Sequence, residues 1–95
     1  MDEFKVPVYY AIPAVLLDAD IVRAVLSITP PVCVIVENLK DLGSARQLGM
    51  DVIQSNKPIE MAIEIHKTMR RPSVVVIEGT EAQAVFENGE KEKIC

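Results

Sequence analysis

The chain has no tryptophan, two phenylalanines, two tyrosines, one histidine and two cysteines among its 95 residues. The cysteines are Cys33, inside VCVIV, and Cys95, the last residue, and no CxxC or other metal-ligand spacing joins them. Cys33 reads as a small buried hydrophobe. The lone histidine, His66, has no second histidine with which to share a metal. Basic charge is also scarce, with 10 Lys and Arg against 14 Asp and Glu and a net charge of −4. That balance excludes non-specific nucleic-acid binding, which needs a basic surface. The one basic pair, Arg70-Arg71, ends a helical pattern, where it is expected to complement the helix dipole. No apolar run reaches the length of a membrane span. The N-terminus is acidic, and Pro7 and Pro13 interrupt its apolar run, unlike a signal peptide. The expectation is a soluble, cytoplasmic protein. G-x-G-x-x-G, a P-loop and a nucleophile-elbow serine are all missing.

What the chain has in quantity is aliphatic side chains. Hydrophobic residues make up 49% of it while aromatic residues make up 4%, so the apolar mass is Val, Ile, Leu and Ala. A chain of this length forms one domain, residues 1–95, and buries only about 60–65% of its unfolded surface. More aliphatic surface is present than so small a monomer easily hides. That surplus predicts a homo-oligomer or an interface with a protein partner.

Two uninterrupted β-branched runs, VCVIVE (Val32–Glu37) and SVVVIE (Ser73–Glu78), suit strands buried on both faces of a parallel sheet. MDVIQS (Met50–Ser55) is a third, shorter run. Between the first and the third lies a helical segment. Asn38 is its expected N-cap, Asp41 stands at the capping-box position, and Gly49 is the expected stop. Gly43 inside it suggests close packing on the sheet. A second helix follows Ser55, with Pro58 in its first turn. Ile59, Ala62, Ile63 and His66 form its inner face; Glu60, Glu64, Lys67 and Arg71 lie opposite.

FKVPVYY alternates Phe4, Val6, Val8 and Tyr10 as a strand does, and Pro7 would put that strand at an edge. Two readings of the next segment stay open. Either a long helix runs from Pro13 to Ile28, or Ala14–Leu17 is a short strand followed by a helix that Asp18 or Asp20 caps. The long helix would set Asp18 among Ala14, Ile21, Val22 and Val25, a costly place for a lone carboxylate. Near the C-terminus, Asn88-Gly89 fits a two-residue type I′ turn between strands at 82–87 and 90–94. The fold class is therefore α/β. The expected architecture is a small Rossmann-like (flavodoxin-like) three-layer sandwich, with a mainly parallel four-stranded βαβαβαβ sheet and a C-terminal β-hairpin.

In such sheets ligands sit outside the carboxyl ends of the strands. The residues expected there are Asp18 and Asp20, then Glu37, Asn38 and Asp41, then Ser55, Asn56 and Lys57, and finally Glu78, Gly79, Thr80 and Glu81. Carboxylates converging at that edge could hold Mg²⁺, with Asp18, Glu37 and Glu78 as the candidate ligands. Ser55, Asn56, Lys57, Gly79 and Thr80 are the candidate ligand-binding residues. Helix capping is the competing use of the same aspartates and asparagines.

AVLLDADIV resembles the first motif of the haloacid dehalogenase phosphohydrolase superfamily, a strand ending in Asp-x-Asp. The resemblance implies Asp18 as nucleophile and Asp20 as general acid/base. VIQSNKP is similar to that family's second motif, with Ser55 on the phosphoryl group, and VVVIEGTEA to its metal-binding segment, with Glu78 in place of an aspartate. Ile21-Val22 stand where the family has Gly-Thr, and Lys57 is only a weak stand-in for its lysine. VCVIVENLKDLGSARQLGMDVIQSN resembles the start of a Toprim domain, which would nominate Glu37. The glycine usual after that Glu is Asn38, and IEGTEA stands where Asp-x-Asp belongs. The two resemblances compete for the same loops and neither is complete.

The functional expectation is a small non-catalytic α/β binding, regulatory or assembly module that needs no cofactor. The alternative is a Mg²⁺-dependent phosphotransfer or phosphatase-like enzyme using Asp18 and Asp20.

Overall fold

A computed structural model describes residues 6–94; Phe4, part of the expected first strand, and Cys95 lie outside the described residues. Six strands form one sheet: β1 (Tyr9–Pro13), β2 (Val34–Val36), β3 (Val52–Gln54), β4 (Ser73–Ile77), β5 (Gln83–Val85) and β6 (Lys91–Lys93). Their order across the sheet is β3-β2-β4-β1-β5-β6. The β3–β2, β2–β4 and β4–β1 pairs are parallel, and β1–β5 and β5–β6 are antiparallel. The chain is thus α/β, but its sheet is mixed and six-stranded rather than a mainly parallel flavodoxin-like sheet of four. The C-terminal hairpin is hydrogen-bonded onto β1 and extends the sheet.

Three helices connect the parallel strands: α1 (Ala19–Ile28), α2 (Leu42–Arg46) and α3 (Pro58–Met69). The steps β1→β2 and β2→β3 run the same way across the sheet, and β3→β4 runs back. Crossovers of one hand then put α1 and α2 on one face and α3 on the other. The core divides accordingly. Ile21 and Val25 of α1 and Ala45 of α2 pack with Tyr10, Ile12, Val34, Val36, Val74 and Val76. On the opposite face Ala62 packs with Cys33, Ile35 and Val75. The two β-branched runs lie in the sheet's interior, as their lack of polar alternation requires.

Several local expectations are corrected. β1 is an interior strand, because Pro7 falls before it and costs no ladder bond; Val8 N–H already donates to Val85 C=O at 2.7 Å. Of the two readings of residues 14–28, the long helix fails, and of the other only the strand at Ala14–Leu17 fails: its helix, capped by Asp18 and ending at Ile28, is present. The strand stops at Pro13, Ala14–Leu16 form a 3-10 turn, and α1 starts at Ala19. The helix after β2 is a 3-10 turn (Leu39–Asp41) running into the short α2, and Asn38 makes no side-chain cap. Gly49 does close it, at φ 78°. The hairpin loop has three residues, not two. Gly89 N–H returns to Phe86 C=O at 2.9 Å, and Gly89 alone of the loop takes positive φ, 88°. That is a type I turn followed by a left-handed glycine. The Arg71 guanidinium donates to the carbonyls of Pro30 and Pro31 at 3.1 and 3.4 Å.

Among the described residues no helix is long and apolar enough to cross a membrane.

One part-buried hydrogen bond ties the sheet to α1. The Tyr10 ring is fully buried, and its hydroxyl donates to Thr29 C=O, at the end of α1, at 2.7 Å. Tyr10→Phe is expected to lower unfolding stability by about 1 kcal/mol in urea titration, the usual net worth of such a bond. Gly43 is not a packing glycine, since a Cβ there would meet nothing within 4 Å. Gly43→Ala is expected to raise stability by about 0.5–1 kcal/mol in the same measurement, by restricting the unfolded chain.

Candidate functional site

The carboxyl ends of the parallel strands form a rim of four short loops. β1 leads through the 3-10 turn at Ala14–Leu16 to Asp18; β2 leads to residues 37–41, β3 to 54–57 and β4 to 78–81. The connections leaving β2 and β3 turn to opposite faces, so the crevice expected of an open α/β sheet falls between those two strands.

That crevice is closed by its own hydrogen bonds. Gln54 Nε2 donates to Glu37 C=O at 2.9 Å and reaches Asn56 Oδ1 at 3.5 Å. Ser55 Oγ accepts from Lys57 N–H at 3.0 Å. These side chains hold the loop in shape. Ser55, Asn56 and Lys57 stand apart from the other nominated ligand-binding residues, because β2 separates β3 from β4. Gly79 lines a cleft at the end of β4 with Ala14, Val15, Lys40, Asp41 and Glu78. Thr80 lines a different cleft, with Leu16, Asp18, Asp20 and Lys93.

Asp18 is a helix cap. Its carboxylate accepts from Ile21 N–H at 3.0 Å, and its backbone is extended (φ −149°, ψ 179°), as an N-cap's is. Pro13 ends the strand five residues earlier, so Asp18 does not stand at a strand terminus as the Asp-x-Asp of the haloacid dehalogenase motif does. Asp20 is exposed and lies 3.8 Å from the Arg23 guanidinium. Glu78 shares its cleft with Lys40 and Asp41, whereas Asp18 lines others. Glu37 is exposed, and its main chain is bound to Gln54. The structure does not bring Asp18, Glu37 and Glu78 together: among the described residues no three His, Cys, Asp or Glu side chains are grouped so as to hold a metal ion.

Two features of the rim were not legible in the sequence. Val15 is 83% exposed and Leu39 68%. Each sits in a 3-10 turn following a strand. Val15 lines the Glu78 cleft, and Leu39 precedes Lys40, which lines it too. Apolar periodicity cannot single them out, because a 3-10 turn follows neither the helical nor the strand repeat.

Away from the rim, His66 is on the inner face of α3, as its spacing predicted, with 6% exposure. Its Nδ1 lies 3.9 Å from a Glu87 carboxylate oxygen. Both line an apolar cleft between α3 and β5 with Tyr9, Ile59, Ile63 and Val85. Cys33 is buried and its Sγ lies 3.6 Å from Ser73 Oγ. Burial pushes its thiol pKa up, against a downward pull from the Ser73 hydroxyl. The thiol therefore stays protonated at neutral pH, unlike a nucleophile.

Replacing Asp18 by Asn is expected to change stability by about 0.5 kcal/mol or less, since Asn caps as well as Asp; Asp18→Ala is expected to cost about 1 kcal/mol. Thermal or urea unfolding of the two variants measures both.

No family model matches this chain, and no curated protein or solved structure matches it.

Proposed function

We propose that this chain is a small non-catalytic binding and assembly module of the cytoplasm, which associates with copies of itself or with a protein partner and takes neither nucleic acid nor membrane. The observation that carries the reading is the character of the rim. Where an α/β enzyme gathers its polar catalytic groups, this chain exposes Val15 in a cleft with Ala14, Ile77, Lys40, Asp41 and Glu78, and Leu39 stands exposed one residue before Lys40. Aliphatic side chains ringed by charges of both signs resemble the make-up of a protein–protein contact. Further aliphatic side chains stand exposed on the helices: Leu26 and Ile28 on α1, Ile59 and Met69 on α3. Single exposed apolar residues are ordinary, but here Val15 and Leu39 both stand on the rim loops, in the turns that follow β1 and β2. The aspartates nominated for phosphoryl transfer are engaged otherwise, Asp18 in a cap and Asp20 beside Arg23.

Two measurements test the proposal. In a Mg²⁺ titration followed by amide NMR, the signals of residues 18, 37 and 78 are expected to show no shared, saturable shift; such a shift would instead favour the metal-enzyme alternative. In light scattering at micromolar concentration, the mass is expected to be a multiple of the 10.5 kDa chain. A monomer at every concentration removes self-association from the reading.

A further inference from the structure

The two edges of the sheet are built differently. β6 is Lys91-Glu92-Lys93, all three exposed, with Lys93 3.9 Å from Glu81. A charged strand of that kind discourages pairing with another chain. β3, at the opposite edge, is Val52-Ile53-Gln54 and carries no charge. Among the described residues it pairs only with β2, in the register Val34↔Val52, Ile35↔Ile53 and Val36↔Gln54. Val34 N–H donates to Asp51 C=O and Ser55 N–H donates to Val36 C=O. The ladder therefore turns the main-chain groups of Asp51, Ile53 and Ser55 toward β2, and the alternation of a strand turns those of Val52 and Gln54 toward the open edge.

We propose that β3 is the edge through which two copies of this chain pair, antiparallel about a two-fold axis at Ile53, joining two six-stranded sheets into one. The proposal rests on the assembly reading above and names its surface. In this register Val52 lies opposite Gln54 of the second copy, and Gln54 opposite its Val52. Both are the residues whose N–H and C=O face outward, so each pair exchanges two main-chain hydrogen bonds. Ile53 meets its own symmetry mate as a non-hydrogen-bonded pair, the arrangement in which side chains approach closest.

Charge and apolar surface fit the same axis. Asp51 and Lys57 are both exposed and flank β3 at its two ends. The two-fold sets Asp51 of each copy beside the Ser55–Lys57 turn of the other, placing opposite charges together twice. The half-buried Met61 and Ile65 of α3 pack in the same cluster as Ile53, and Met69, one turn further along α3, is 51% exposed. On the other face Val52 lies with Leu48 and Met50, also half-buried. Each copy would cover the apolar flank of the other. An unrelated strand could use the open main-chain groups, but a second copy of this chain by its own sequence supplies the opposite charge at both ends and an isoleucine at the centre.

Three readouts on the full chain test this. Hydrogen exchange of the unmodified protein is expected to show the Val52 and Gln54 amides gaining protection as concentration rises, while those of Lys91–Lys93 do not. Val52→Pro removes an outward N–H and leaves the β2 ladder intact; it is expected to weaken the dimer at least tenfold in sedimentation or light scattering, with unchanged circular dichroism. In a Cys95→Ser background, Ile53→Cys is expected to give a disulfide-linked dimer on mild oxidation, whereas Glu92→Cys is not. A dimer that survives Val52→Pro and gives no Ile53→Cys cross-link overturns edge pairing and leaves the assembly reading standing. A monomer at all concentrations overturns edge pairing and removes self-association from the assembly reading, leaving only a protein partner to it.

Discussion

The constraint on which this structure depends is the double burial of β2 and β4. Val34, Ile35, Val36 and Val75 have no solvent exposure, and Val74 has almost none. Such strands must satisfy every main-chain group through neighbouring strands, because water reaches neither face. β4 does so by lying between β2 and β1, and β2 by lying between β3 and β4. The cover over both faces follows. α1 and α2 must lie on one side and α3 on the other, and the direction of each crossover gives that distribution. Tyr10 adds a specific tie, since its ring fills the core beneath α1 and its hydroxyl binds the Thr29 carbonyl at the helix's end.

The rim is shaped by the same economy of chain. Its loops are so short that several of their polar side chains are used in local geometry. Asp18 starts α1, Ser55 shapes the entry to α3, and Gln54 joins the β2 and β3 loops. Side chains committed in this way are not free to converge on a metal or a phosphate. What remains available at the rim is Val15, Leu39 and the charges around them, a surface suited to contact with protein. Loop length thus links the fold to the proposed function.

Much of this was legible from residue patterns. VCVIVE and SVVVIE announce interior parallel strands because they lack polar alternation. Of the stripe Ile59, Ala62, Ile63 and His66, Ala62 and His66 are buried on the inner face of α3 while Ile59, in its first turn, is exposed; the charged 90–94 segment announces a solvated edge. Prolines and glycines were less reliable guides. Pro7 suggested an edge strand, but an offset of two residues between proline and strand removed the conflict. Asn88-Gly89 suggested a two-residue turn, yet Phe86 and Glu90 set a three-residue loop, with Gly89 as its left-handed residue. AVLLDADIV carried the motif of one family and the cap of a helix at once. Asp-x-Asp serves either purpose, and only the distance from the strand end separates them.

By itself the sequence determined the α/β class, the burial of β2 and β4, most of the inner face of α3, the net acidic charge and the lack of an apolar run long enough for a membrane-spanning helix. These follow from periodicity and composition, which act locally along the chain. Only the tertiary structure decided that β1 is interior, that the hairpin joins β1, that Asp18 caps α1 rather than meeting Glu78, and that β3 is left as an uncharged open edge. Each of these depends on which segments distant in sequence become neighbours in space. That choice is made by the whole core closing at once, and no short window of residues contains it.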